Sequence, residues 1–147
     1  MIDQTNRNPY VLIEQIENIH QKEFYLPEEF NSLVDALSEM GEPAVEALLE
    51  KMTKLVNLRL RYVGAHVFAR VGYPVNSKAL EFMVSDVSNP NSSSHEISFE
   101  AVLKVGAPAL PLIDKALEFY RHDGEDSVLE IDSLEDLKNR ISSNTIR

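Results

Sequence analysis

Arg59, Tyr62, His66 and Arg70 recur at intervals of three and four residues. At about 100° per residue, that spacing places them along one face of a helix. Two guanidinium groups, a phenol and an imidazole in one stripe can hold a carboxylate, a phosphate or an acidic loop of a partner. The same residues also suit a solvated polar face whose arginine stems cover neighbouring apolar surface. Elsewhere the chemistry is thinner. Glu17-Asn18-Ile19-His20 has the Glu-x-x-His spacing of di-iron bundles, but that site needs a second copy and two more glutamates, and the sequence has no second copy. His95-Glu96 lacks the second histidine of a zinc-protease motif. There is no nucleophile elbow, no phosphate-binding loop with lysine and no dinucleotide fingerprint. With no cysteine in the chain, thiolate metal sites, disulfides and cysteine nucleophiles are excluded. No catalytic residue, metal site or cofactor is expected, and the Arg59-Tyr62-His66-Arg70 stripe is the candidate partner-binding site.

Two acidic surfaces compete with that stripe. Glu28, Glu29, Asp35, Glu39, Glu42, Glu46 and Glu50 belong to the early helices. Asp123, Glu125, Asp126, Glu130 and Asp132 lie near the C-terminal end, without the residue order of an EF-hand loop. Either could steer a basic partner. The net charge of −10 is unevenly spread: residues 1–50 carry eleven acids and two bases, residues 51–122 nine bases and six acids, and residues 123–147 seven acids and three bases. Such a balance argues against general binding to nucleic-acid backbones, which requires neutralised phosphates.

The elements that must position these residues are helical. Pro9 opens a helix over 9–22, with Leu12, Ile13, Ile16 and Ile19 at helical spacing. Pro27 opens a second, ending before Gly41. Pro43 opens a third, with Val45, Leu48, Leu49 and Met52 as its stripe. Asn57 can cap a fourth running to Val71. A fifth is expected over 77–87, then a loop at 89–94, where Asn89-Pro90-Asn91 precedes three serines. The sixth ends at Val105, and the seventh runs from Pro108 to about Tyr120. Residues 123–132 read as an acidic loop, with Ser127–Ile131 as a possible extended piece. Ser133-Leu134-Glu135-Asp136 can cap a short last helix.

Three junctions share one device: Gly41-Glu42-Pro43, Gly72-Tyr73-Pro74 and Gly106-Ala107-Pro108, with glycines 31 and 34 residues apart. Glycine after a helix adopts the left-handed conformation that satisfies the last carbonyls. Proline near the next start presets φ and gives up a donor that would lack a partner. A near-fixed period in this range marks stacked helical repeats.

At these junctions the chain resembles the HEAT-like repeat family, especially the short bacterial repeats also found in phycobilisome lyases. Gly41-Glu42-Pro43-Ala44-Val45-Glu46-Ala47-Leu48-Leu49 matches the opening of such a repeat. Arg61–Gly72 matches its second part, and Gly106–Ile113 begins another. The likeness covers roughly 30–120. It departs at Val75, where alanine is usual, at the long 89–94 loop, and in having no arginine near His95. It implies an all-α fold, a small right-handed α-solenoid of antiparallel hairpins with seven or eight helices, as a single domain over 1–147. The 9–22 helix would cap one end, and the acidic loop and short helix of 123–147 the other. In such stacks the second helix of each pair lines a concave face, and the recurrent arginine, here Arg61, serves an internal ion pair.

The family is functionally mixed, so the resemblance speaks to fold; the stacked-repeat architecture, which usually forms a binding surface, leads to the expectation of a non-catalytic adaptor that binds another protein. Two alternatives stand beside it: a bacterial toxin-immunity protein meeting a basic toxin through an acidic face, and a lyase of the phycobilisome type. DNA-glycosylase relatives are disfavoured by the acidity and short length of this chain. No segment approaches about 20 uninterrupted apolar residues and no basic-then-apolar leader is visible, so a soluble, cytoplasmic protein is expected.

Overall fold

The computed structural model describes residues 8–17, 27–54 and 58–145, and among them the protein is all-α, with eight α-helices and no strand. The helices are α1 (Pro9–Glu17), α2 (Pro27–Met40), α3 (Glu42–Lys54), α4 (Leu58–Val71), α5 (Leu80–Val87), α6 (His95–Val105), α7 (Leu110–Asp123) and α8 (Val128–Thr145). Short 3-10 turns at Ser77–Ala79, Ala107–Ala109 and Gly124–Ser127 lead into α5, α7 and α8. The chain divides into two compact units, residues 1–78 and 79–147.

In the first unit, α1 packs on α2, α3 and α4, and α2 packs on α3 and α4. The buried residues are the ones the periodicity selects: Leu12, Ile13 and Ile16 of α1, Leu33, Val34 and Leu37 of α2, Val45 and Leu48 of α3, and Leu60, Val67 and Phe68 of α4. Each helix is too short to persist alone, so this shared apolar face is what holds the four in place. In the second unit α5 packs on α6, α7 and α8, while α8 also packs on α6 and α7. Met83, Val87, Val102, Ile113, Leu117, Leu134, Leu137 and Ile141 form its core.

The junction glycines behave as their positions require. Gly41, Gly72 and Gly106 have φ of 68°, 70° and 74°. Around Gly41 nothing lies within 4 Å of where a Cβ would stand, so the backbone conformation, rather than space, calls for glycine there. Its N–H donates to the Ser38 carbonyl at 3.1 Å and its own carbonyl accepts from Ala44 N at 3.0 Å, closing one helix and starting the next. The second junction is different. Between α4 and α5 the chain makes a turn over 73–76 that includes a cis Tyr73-Pro74 bond. The buried Asn76 donates its side-chain amide to the Phe68 carbonyl at 2.8 Å, satisfying the end of α4 with a side chain.

The C-terminal stretch corrects the sequence reading. Residues 124–127 form a 3-10 turn and α8 starts at Val128, so there is neither an acidic loop through 132 nor an extended piece at Ser127–Ile131. The last helix is 18 residues long rather than short, and Ser133 lies inside it instead of capping it. The cause is the phase of burial: Ser127, Leu134, Leu137 and Ile141 are buried, with Ile131 half-buried between them. These positions continue one helical stripe against α7. Ser127-Val128-Leu129-Glu130 is the capping pattern that stands at the true start. Smaller differences are that α5 begins at Leu80 after its 3-10 turn, and that α7 extends to Asp123. The expected 9–22 helix is present over 9–17, and its remaining residues, with His20, lie outside the described residues, as does Asn57.

Candidate functional site

The Arg59-Tyr62-His66-Arg70 stripe lies on α4, along the side that meets α2. The His66 ring is 4.9 Å from the Phe30 ring of α2 and 4.8 Å from Tyr62, both near-perpendicular, and Tyr62 is 5.4 Å from Phe30. These are edge-to-face and tilted arrangements that aromatic quadrupoles favour. Tyr62 and His66 are half-buried by this cluster, and His66 Nε2 is shielded with no hydrogen-bond partner among the described residues. Burial pushes the imidazole below its ordinary pKa, because a charged ring there loses its water. One turn on, Arg70 forms an exposed ion pair with Asp35 of α2. Arg59 and Arg61 are half-buried. The stripe is therefore a mixed surface: its aromatic middle packs against α2 and the charge of Arg70 is already met.

The early acidic face is also partly compensated. Lys78 pairs with Glu42 at 3.1 Å and more closely with Glu46, and these carboxylates raise the lysine pKa, the Glu46 hydrogen bond contributing most. Tyr10 of α1 donates a hydrogen bond to Glu50 of α3, which raises the phenol's pKa, and Lys51 sits 6.0 Å from the centre of the Tyr10 ring. The side chains of Glu28, Glu29, Asp123 and Glu125 lie outside the described residues. Among the described residues, no group of three or more His, Asp or Glu side chains is arranged to hold a metal ion.

A serine and a histidine do meet in the second unit, where spacing gave no hint of it. His95 Nε2 and Ser133 Oγ are 2.8 Å apart. The Ser133 hydroxyl donates its single proton to the Val87 carbonyl at 2.8 Å. In that arrangement the serine accepts from the histidine, so Nε2 carries the hydrogen and cannot act as the base toward that oxygen. The pair joins α5, α6 and α8 rather than forming an activated nucleophile.

The 89–94 loop rests on a feature the sequence reading missed. Asp86 is 1% exposed, on the α5 face that also buries Met83 and Val87. Ser92 Oγ donates to its Oδ1 at 2.7 Å, and Ser94 and Ser98 Oγ donate to Oδ2 at 2.6 Å each. Three hydroxyl donors replace the water that a buried carboxylate would otherwise hold. The available signal was an acid in the apolar phase of α5, followed by serines at 92, 94 and 98. It fastens the loop and the first turn of α6 onto α5, leaving Asn89, Pro90, Asn91 and Ser93 exposed.

No protein-family model matches the chain, and neither a curated protein nor a solved structure matches it. No helix among the described residues is long and apolar enough to cross a membrane.

Proposed function

We propose that this chain is a non-catalytic protein-binding module, built as a small HEAT-like α-solenoid that presents a helical face to another protein. The observation that carries the reading is the repeated junction: three glycines 31 and 34 residues apart, each with φ near 70° and each ending a helix. A device recurring at that interval is what a helical-hairpin repeat requires, and such repeats generally serve as binding surfaces. Arg59, Tyr62, His66 and Arg70 are the contact residues: Arg70 would exchange its exposed Asp35 pair for an acidic group of the partner, and the half-buried Tyr62 and His66, held by Phe30, would present their remaining edges beside it.

Affinity purification with mass spectrometry tests this reading. The Arg59→Ala/Arg70→Ala variant is expected to lose the captured partner. Asp35→Asn, which frees Arg70 from its ion pair, is expected to retain it. Urea denaturation of each variant separates lost binding from lost fold. Unchanged capture by the double variant removes the stripe from consideration.

A further inference from the structure

We draw no further inference here: the strongest candidate, the apolar groove of about 230 Å³ between α5 and α7 beside the exposed Phe119, is lined by Glu81 and Lys115 of opposite charge, and nothing in the structure shows what covers it.

Discussion

The two units solve the same problem, holding four helices together, with different materials. In the first, the described buried side chains are almost wholly apolar; Asn76 at the end of α4 is the exception, and the ion pairs lie at the surface. In the second, a buried carboxylate and its serines stand among the apolar side chains and fasten a six-residue loop. The contrast teaches that a glycine with positive φ can end a helix and redirect the chain within a few residues, as at Gly41. A longer connection needs something to hold it, and here that is Asp86.

The largest effects should fall at one residue in each unit and have opposite remedies. Leu48→Ala in the first unit leaves a cavity and is expected to cost about 2–5 kcal/mol, while the volume-conserving Leu48→Met costs less than about 1.5 kcal/mol. Asp86→Ala in the second leaves three hydroxyls short of an acceptor and is expected to cost roughly 3 kcal/mol. Asp86→Asn, which keeps one acceptor oxygen, should recover part of that loss. Urea midpoints measure all four. Hydrogen exchange should show the Asp86→Ala loss concentrated in residues 80–105. If Asp86→Leu were as stable as the parent, the buried carboxylate would be dispensable and the contrast between the units would collapse.

A middling effect is expected at the first unit's junction. Gly41→Ala forces a Cβ into left-handed backbone, at a cost of about 1–2 kcal/mol by thermal or urea denaturation. Because nothing crowds that position, D-alanine introduced by chemical synthesis should restore stability, which separates conformation from packing.

The smallest effect concerns pH. Burial lowers the His66 pKa in the folded chain, so the unfolded chain binds more protons as pH falls. The stabilising contribution is complete above the ordinary histidine pKa and is lost as pH drops through the lowered folded value. Urea midpoints followed from neutral to mildly acidic pH should therefore fall, and His66→Phe should flatten that part of the profile. An unchanged slope in His66→Phe would mean that another group carries the dependence.

Much of the helical pattern was legible because it is local. The apolar residues of α2, α3 and α4 recur at 3.6-residue spacing, and Gly41, Gly72 and Gly106 mark helix ends through a backbone preference carried by glycine itself. The start of α8 was misread because the acids at 123–132 look like solvated loop, while Ser127 and Ile131 join a stripe that has meaning only against α7. At the candidate site, spacing alone put Arg59, Tyr62, His66 and Arg70 on one helical face. It could not supply Phe30 or Asp35, which reach them from a separate helix.

The sequence by itself determined the all-α class, most helix boundaries and the three glycine junctions, since periodicity, helix capping and left-handed backbone depend on residues within a few positions of one another. Only the tertiary structure decided that Asp86 is buried and that Ser92, Ser94 and Ser98 are its donors. It also decided that His95 and Ser133 form a strut and that Phe119 stands beside a groove. Each of these depends on groups from different elements or a reversed loop being brought within a few ångströms, which the packing of apolar faces accomplishes and linear spacing does not record.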